Sequence, residues 1–394
     1  MPRTHLRTCI VVAHIVSFLT PQAFFSPPLS PPHRHAVLDG LRNAGTGLDG
    51  NEVLFFNVPG CNTTNCTSQT GFDTAAARAA SAKVSVLVLG ILGWDRQDPG
   101  QNASPNAYER EGHDRTSISL AGNQYALAEA LSQAQTGTPL VCVLVHGGSI
   151  ALGPLMQSCD AIVDLWYPGQ QGGAGFADVL FGRVSPAGRS PQTWYDSDAS
   201  LPPLGTMNLY EGNGSTYRFH RGVGTVTVPF GFGLSYSSFA YSNFSTPESA
   251  SPCDDISVTV AVRNTGSRVA DEVVQLYVKT PNATVPAPQV RLADFARVQL
   301  APGEQRTVAL RVAPKYLAVI RDTGHDNFWT PTIVVESGEV TLHVGGGQPD
   351  FAASAGATLS ASVLVESEVK LTTQYRCLHN GAPAAMQARH ADMY

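Results

Sequence analysis

The sequence has few charged residues and no large excess of either sign. Only 14% of its 394 residues are charged, and 25 Lys and Arg against 31 Asp and Glu leave a net charge of -6. Surfaces that bind phosphate backbones are rich in Lys and Arg. The composition therefore argues against nucleic acid as a partner.

Long apolar runs are also missing. No stretch reaches the 18 or more apolar residues of a transmembrane helix, so we expect no membrane span. Residues 1–35 contain basic residues and then an apolar run from Cys9 to Leu19, which His14 interrupts and no clean cleavage site follows. Two interpretations of this N-terminal extension remain open, a secretory signal and a segment without fixed structure.

Motifs for metals and nucleotides are absent as well. The seven cysteines contain no paired C-x-x-C spacing, and GQQGGAG fits neither a P-loop nor G-x-G-x-x-G. We therefore expect no metal and no cofactor. Cys61 and Cys66 are close enough for a small disulfide loop, whereas Cys142, inside an apolar run, is predicted to be a buried core thiol.

Acceptor triplets for N-glycosylation support export to the secretory pathway or the extracellular space. They begin at Asn62, Asn65, Asn102, Asn213, Asn243 and Asn282.

Short apolar runs alternate with helix-like segments in the first half of the chain. The runs begin at Glu52, Val84, Pro139 and Asp160, and they are rich in Val, Leu and Ile. Such runs are typical of strands buried on both faces of a parallel sheet. We predict an α/β domain over residues 36–240, with a mainly parallel sheet between layers of helices.

A period-two pattern begins after Asp255. The segments ISVTVAVRNTG, EVVQLYVKTP and GEVTLHVGG alternate apolar and polar residues and are separated by turn residues. This pattern predicts an antiparallel β-sandwich of the immunoglobulin or fibronectin type III-like kind over residues 250–366. Residues 370–394 are predicted to be a tail.

One short stretch, YEREGHDR, concentrates charge in a chain that otherwise has little. It runs from Tyr108 to Arg115, beyond the strand-like run VSVLVLGIL. It therefore begins in the loop at the carboxyl end of a strand, where ligands bind in open α/β sheets. A solvated loop and part of an active site are both consistent with this position.

Six motifs in order resemble family 3 of the glycoside hydrolases. They are EGHDR, the run ending VHGG, WYPGQQGGAGFADVLFG, SPAGRSPQTWY, YRF and PFGFGLSYSSF. EREGHDR with GNQ, and GCNTTNC before it, are similar to the β-xylosidase and α-arabinofuranosidase branch. DEVVQLYV and LAPGE resemble the fibronectin type III-like domain that ends many members. The resemblance covers residues 36–366.

The resemblance implies retaining hydrolysis of O-glycosyl bonds by two carboxyl groups. In the family, a nucleophilic aspartate belongs to an N-terminal barrel and the acid/base to the α/β domain that follows. Only residues 1–35 precede the matching region, against about 250 residues for a barrel. No Ser-Asp-Trp or Ser-Asp-Cys nucleophile motif occurs, and Asp198, in SDAS, lies in the wrong domain.

We therefore expect this chain to be the acid/base-bearing part of a β-xylosidase-like enzyme that acts on xylan or arabinan fragments of plant or algal cell walls. The expected partners are an oligosaccharide or polysaccharide and a family 3 catalytic barrel, on another chain or in a missing exon. The alternative hypothesis is a non-catalytic carbohydrate-binding or scaffolding protein derived from such an enzyme. The choice among xylose, arabinose and glucose stays open.

Two glutamates compete for the acid/base role that the resemblance implies. Glu111 is preferred because its spacing to Asp114 and Arg115 matches the family's E-G-x-D-R pattern, and Glu109 is the alternative. Arg115 is expected to orient a carboxylate through a two-point hydrogen bond, and Asp114 to hold the loop.

Further supporting candidates follow strand-like runs. Asp95 and His146 are assigned to the surroundings of the site, although a structural turn explains His146 and the glycines after it equally well. For Trp166 and Tyr167, stacking on a sugar face and packing at a rim both remain open.

Overall fold

The computed structural model describes residues 8–15, 36–45, 53–61, 63–91, 109, 114–135, 137–202, 205–221, 226–321, 331–351 and 358–377. The chain divides into two compact units. The first comprises Met1–Ser185, Thr193–Met207 and Gly222–Val228, and the second comprises Pro186–Gln192, Asn208–Arg221 and Pro229–Tyr394. The chain therefore alternates between the units several times, whereas the sequence analysis places one boundary near residue 240.

Five strands of the first unit, among the described residues, form a parallel sheet in the order β2-β1-β3-β4-β5. They are β1 (Thr8–Ile15), β2 (Val53–Cys61), β3 (Val84–Gly90), β4 (Leu140–Val145) and β5 (Ala161–Asp164). This order is one of the two common doubly wound arrangements. The predicted α/β class is confirmed.

β1 lies in the segment that the sequence analysis treats as an N-terminal extension. It pairs with β2 on one side and with β3 on the other. Its apolar sequence, TCIVVAHI, suits an inner strand of a parallel sheet as well as the apolar part of a signal. This part of the extension therefore belongs to the sheet.

Helices lie on both faces of the sheet. They are α1 (Ala36–Ala44), α2 (Phe72–Ala80), α3 (Gln124–Ala134), α4 (Gly153–Ser158) and α5 (Gly172–Leu180). Because side chains alternate along a strand, β3 contributes to two cores. Val86 and Val88 pack with α1 and α5, and Leu87 and Leu89 pack with α2, α3 and α4. A short antiparallel pair, β6 (Trp194–Tyr195) and β7 (Val226–Val228), completes the described part of this unit.

The second unit is a β-sandwich, antiparallel as predicted except for one short strand, Ser249–Ala250, which pairs in parallel with Leu359–Val365. A short helix, α6 (Thr216–Phe219), precedes it. Its described strands are β8 (Phe239–Ser245), β9 (Ser249–Ala250), β10 (Ile256–Asn264), β11 (Ala270–Lys279), β12 (Arg291–Leu300), β13 (Gln305–Val312), β14 (Val319–Arg321), β15 (Thr332–Val335), β16 (Gly338–Gly345), β17 (Leu359–Val365) and β18 (Val369–Leu371).

Two of its sheets enclose one core. Among the described residues, their orders are β13-β10-β8 and β12-β11-β16-β17-β9, and a smaller sheet has the order β14-β15-β18. Every second residue of β10 and β13 points into a core that also contains side chains of β11, β16 and β17. This alternation is the physical origin of the period-two pattern in the sequence.

Three disulfides join cysteines of the described residues. They link Cys61 to Cys66, Cys142 to Cys159, and Cys253 to Cys377. The prediction that Cys142 is a free core thiol is wrong. Cys142 is fully buried, as expected, but its sulfur is bonded to Cys159, which follows α4. Only the fold brings these two residues together.

Candidate functional site

The carboxyl ends of β3, β4 and β5 lie at the same edge of the sheet because the strands are parallel. The first residue after β3, Ile91, donates its backbone N–H to the Val145 carbonyl at 2.9 Å. His146, the first residue after β4, donates its backbone N–H to the Trp166 carbonyl at 3.3 Å. The residues that follow these three strands therefore form one cluster.

Glu109 is bound in this cluster through both carboxylate oxygens. Its Oε1 accepts the backbone N–H of Gly147 at 2.7 Å, and the Tyr167 hydroxyl lies 3.4 Å from the same oxygen. Its Oε2 accepts the Nε–H of Arg115 at 3.1 Å. The side chain is 19% exposed, so this carboxylate lies at the edge of the sheet rather than in open solvent.

The space that this carboxylate occupies explains the two glycines of VHGG. A Cβ on Gly147 would lie 2.9 Å from Glu109 Oε1 and 2.5 Å from a ring carbon of Tyr167. A Cβ on Gly148 would lie 2.5 Å from Glu109 Oε2. Neither glycine has a positive φ. Their role is to leave room for the carboxylate, and not to supply a backbone conformation that only glycine adopts.

Arg115 connects Glu109 to two segments of backbone. Its other guanidinium nitrogens donate to the carbonyls of Ser149, at 2.6 Å, and Ser117, at 3.2 Å. The side chain is 8% exposed. Arg115 contacts the carboxylate through one nitrogen, so the described geometry is not the two-point contact expected from the sequence.

His146 is fully buried behind the glycines. Its Nδ1 lies 2.6 Å from the Gly148 carbonyl oxygen, and its Nε2 lies 2.8 Å from Asp164 Oδ1. The rings of Trp166 and Trp194 flank the imidazole, with centroids 4.9 Å and 5.3 Å away. His146 thus faces the interior and holds the turn on which Glu109 rests.

Tyr167 remains a neutral hydroxyl over the physiological range. Burial, and then the negative charge of Glu109, raise the pKa of Tyr167 well above its ordinary value of 10. The hydroxyl lies 3.1 Å from the Ile91 carbonyl. Trp166 has a φ of 53°, which is uncommon for a residue with a side chain, and its N–H donates to Asp164 Oδ1 at 3.1 Å.

Asp198 holds the loop that follows Arg115. It accepts the Ser117 hydroxyl at 2.5 Å and the Ile118 N–H at 2.7 Å. This contact is not predicted from the sequence, where Asp198 is excluded as a nucleophile and has no other role. Local sequence contains no signal for it, because 80 residues separate Asp198 from Ile118.

Gln124, at the start of α3, fastens the end of β3. Its buried amide donates to the carbonyls of Thr64, at 2.9 Å, and Gly90, at 3.0 Å, and accepts the Gly90 N–H at 2.9 Å. Gly122 has a φ of 58°, and a Cβ there would lie 1.7 Å from the Asn65 carbonyl oxygen. The motif GNQ therefore has a structural role, which its sequence pattern does not predict.

The remaining predicted residues fall into two groups. Glu111, Asp95, Asn62 and Asn102 lie outside the described residues. Asp114 is described and exposed, as are three of the acceptor asparagines, whereas a fourth, Asn65, is buried. The exposed three are Asn213, Asn243 and Asn282.

Neither a metal centre nor a membrane-spanning helix is found in the part of the chain that the structure describes. No group of three or more His, Cys, Asp and Glu side chains there is arranged to hold an ion. No helix among those residues has the length and apolar character needed to cross a bilayer.

The two units define a protein with a doubly wound α/β domain, a bound carboxylate at the carboxyl edge of its sheet, and a β-sandwich domain. The sequence matches the glycosyl hydrolase family 3 C-terminal domain over residues 19–236 and the fibronectin type III-like domain over residues 272–348. The chain belongs to glycosyl hydrolase family 3, as the motifs predict.

Curated relatives include two kinds of glycosidase. A β-glucosidase of Rhizobium radiobacter is 37% identical over 62% of this chain and 30% of that protein. A β-xylosidase of Formosa agariphila is 32% identical over 80% of this chain and 40% of that protein. The chain thus spans well under half the length of these relatives.

Solved structures share the fold. A family 3 exo-β-xylosidase in complex with a xylobiose aziridine activity-based probe superposes with a TM-score of 0.72, at 24% identity, over 95% of this chain and 47% of that chain. A β-glucosidase from Erythrobacter marinus superposes with a TM-score of 0.67, at 26% identity, over 92% of this chain and 47% of that chain.

Proposed function

We propose that this chain is the acid/base-bearing part of a retaining β-xylosidase-like glycosidase and that Glu111 is the acid/base. In such a reaction a nucleophilic carboxylate attacks the anomeric carbon while the acid protonates the departing oxygen. The same residue then takes a proton from the water that releases the sugar. The nucleophile would belong to a family 3 barrel.

The observation that supports Glu111 is that the protein itself holds both carboxylate oxygens of Glu109. Both of its oxygens already accept hydrogen bonds, from Gly147 and Arg115. A general acid must direct its hydroxyl at the leaving oxygen of the sugar, whereas both oxygens of Glu109 face donors of the protein, the Gly147 N–H and the Arg115 side chain. Glu109 is therefore better suited to anchor the loop than to donate.

The length of chain between Glu109 and Glu111 limits the distance between these two residues. Glu111 is two residues from Glu109, and two residues of extended chain span at most about 7 Å. Arg115, four residues further along, is anchored to the same carboxylate. Glu109 and Arg115, which flank Glu111 in the sequence, thus both lie at the carboxyl edge of the sheet, where open α/β folds bind ligands.

A xylosyl substrate is supported by the β-xylosidase among the relatives, and a glucosyl substrate by the β-glucosidase. Disulfides persist in oxidising compartments, so the three in the described residues support a secreted protein.

The test is reconstitution with a family 3 barrel, fused or mixed, and assay on nitrophenyl xyloside, arabinoside and glucoside. The chain alone should show negligible turnover, because general acid catalysis by itself contributes only about 10²- to 10⁴-fold. In the reconstituted enzyme, Glu111→Gln should lose most activity on substrates with poor leaving groups. Azide should restore part of it on good leaving groups, because a small anion attacks the glycosyl-enzyme without a general base.

Glu109→Gln and Glu129→Gln are the matched comparisons. Glu129 is exposed on α3, so its variant should keep full activity. Glu109→Gln should lower activity on all leaving groups alike, without rescue by azide. A harmless Glu111→Gln, or efficient turnover by the chain alone, would contradict the proposal. Sugar binding without turnover after reconstitution would favour the non-catalytic alternative.

A further inference from the structure

Tyr167 exposes part of its side chain beside the Glu109 carboxylate. The residue is 45% exposed, whereas the side chains of Glu109 and Arg115 are only 19% and 8% exposed. Among the described residues of the first unit, Phe56 is the other exposed large aromatic residue, at 40%. An exposed aromatic ring at the carboxyl edge of the sheet offers a flat apolar surface where such folds bind ligands.

The contacts of Tyr167 hold this ring in one position. Its hydroxyl lies 3.1 Å from the Ile91 carbonyl oxygen and 3.4 Å from Glu109 Oε1. One side of the ring lies against Gly147, where an added Cβ would come within 2.5 Å of Cε2 and 3.2 Å of Cδ2. A side chain that is ordered before a ligand arrives loses little conformational freedom on binding. The ring is therefore preorganised for contact with a ligand.

The backbone that leads into Tyr167 is strained. Trp166 has a φ of 53°, in the left-handed region that residues with a side chain rarely adopt. Its ring packs inward on His146, with centroids 4.9 Å apart, and its N–H is held by Asp164 Oδ1. Strained conformations persist where surrounding contacts fix them, and they cluster at ligand-binding sites. The backbone geometry therefore also indicates that the position of Tyr167 serves a ligand.

A pyranose ring is suited to an aromatic surface of this kind. The hydroxyls of a β-xylosyl or β-glucosyl unit are equatorial, so its axial C–H groups form apolar faces. The negative face of an aromatic ring attracts such polarised C–H groups. Burial, and then the negative charge of Glu109, raise the pKa of Tyr167 well above its ordinary value of 10, so the ring is an uncharged phenol at neutral pH.

We propose that Tyr167 is a binding residue whose ring stacks on a pyranose unit of a xylosyl or glucosyl oligosaccharide. Its hydroxyl is engaged with Ile91 and Glu109, so the ring and not the hydroxyl makes the contact with the sugar. This assignment rests on the proposed function for the identity of the ligand as a sugar. It distinguishes stacking from simple packing at the rim, the two interpretations that the sequence leaves open.

The test is proton NMR of xylotriose, and separately of cellotriose, with the full chain at millimolar sugar. Protons that lie over an aromatic face shift upfield. We expect such a shift for the axial protons of one sugar unit, together with nuclear Overhauser contacts from these protons to the Tyr167 ring. The sugar with the larger shift identifies the preferred unit. The absence of both signals for both sugars would overturn the proposal.

Three variants separate the ring from its hydroxyl and from general exposure. Tyr167→Leu keeps an apolar side chain but removes the ring, so the upfield shift should disappear and the affinity should fall about fivefold or more. Tyr167→Phe keeps the ring and should retain the shift. Phe56→Leu is the matched control, because Phe56 lies on β2 against the Arg78 guanidinium, and it should leave binding unchanged. Unchanged binding by Tyr167→Leu would contradict the proposal.

Sugar binding requires neither a nucleophile nor a proton donor, so these measurements do not depend on turnover. Stacking on Tyr167 without turnover after reconstitution would contradict the proposed function and support this inference. Turnover that Glu111→Gln abolishes, without contact between the sugar and Tyr167, would support the proposed function and overturn this inference. The two failures are therefore distinguishable.

Discussion

The substitution Gly148→Ala, which adds one methyl group, directly tests the position of the Glu109 carboxylate. The Cβ of alanine would lie 2.5 Å from Glu109 Oε2, which Arg115 holds in place. Overpacking of this kind costs about 1–3 kcal/mol. We expect Gly148→Ala to lower the free energy of unfolding by that amount and to detach Glu109, measured by urea unfolding and by the Gly147 amide shift.

Gly175 is the matched control for that prediction. It lies within α5, and a Cβ there would meet nothing within 4 Å. Replacing a helical glycine by alanine in open space stabilises by up to about 1 kcal/mol. Equal effects of Gly148→Ala and Gly175→Ala would show that the carboxylate is not held as described.

His343, on β16, should make the second unit sensitive to moderate acid. Burial, and then the positive charge of Lys279, lower the pKa of His343 below its ordinary 6.5, against the opposing charge of Asp350. As pH falls, the unfolded chain binds the proton first. Stability is therefore full above pH 6.5 and declines as pH falls from there through the folded-state pKa.

The measurement compares wild type with His343→Gln in urea at pH 7.5 and 5.5. The wild type should lose more stability between these values than the variant does. The difference should be less than about 1 kcal/mol, because the ring is partly exposed and solvent screens its charge. A larger loss in the variant would mean that the sign is wrong.

At the scale of elements, one buried ion pair joins Pro186–Gln192 to β11 within the second unit. Arg189 Nη2 lies 3.1 Å from Glu272 Oε1, and the side chains are 9% and 4% exposed. Burial raises the pKa of Glu272, and Arg189 opposes this rise. Breaking a buried pair leaves an uncompensated charge.

We expect Arg189→Met to lower the free energy of unfolding by about 3–5 kcal/mol, and Arg189→Met with Glu272→Leu to recover most of it. Urea unfolding of the full chain measures both. The control is Arg297→Met on β12. Arg297 also pairs with a residue of β11, Asp271, but it is 64% exposed, so its loss should cost at most about 1 kcal/mol. Similar costs for Arg189→Met and Arg297→Met would contradict the prediction.

For the whole molecule, we expect export to produce disulfides and N-linked glycans at particular residues. A peptide map of the secreted protein should contain the three disulfides of the structure. It should show glycans on the exposed Asn213, Asn243 and Asn282 and none on Asn65, which is buried beside the disulfide-bonded Cys66. Mass spectrometry before and after enzymatic deglycosylation measures the disulfides and the glycosylated asparagines. Free Cys61 and Cys66, or a glycan on Asn65, would count against this prediction.

The sequence by itself determined the two fold classes and the family. Strand and helix periodicities follow from which face of each element is buried, and that information is local, as in the Val-rich β3 and the alternating β10. The order of short motifs identified family 3, and in VHGG and GNQ the glycines allow a close approach of other atoms. The stretch at Glu109 was visible because its charge density departs from that of the rest of the chain.

Tertiary structure alone decided which residues meet. The pairing of Cys142 with Cys159, the hold of Asp198 on Ile118, and the contacts of Glu109 with Gly147 join residues that are distant in sequence. The reason is physical: hydrogen bonds and disulfides act over about 3 Å and depend on direction, whereas hydrophobic patterning specifies a face and not a partner. For Glu109 and Gly147, parallel strands bring the partners together by carrying the segments after β3 and β4 to one edge of the sheet.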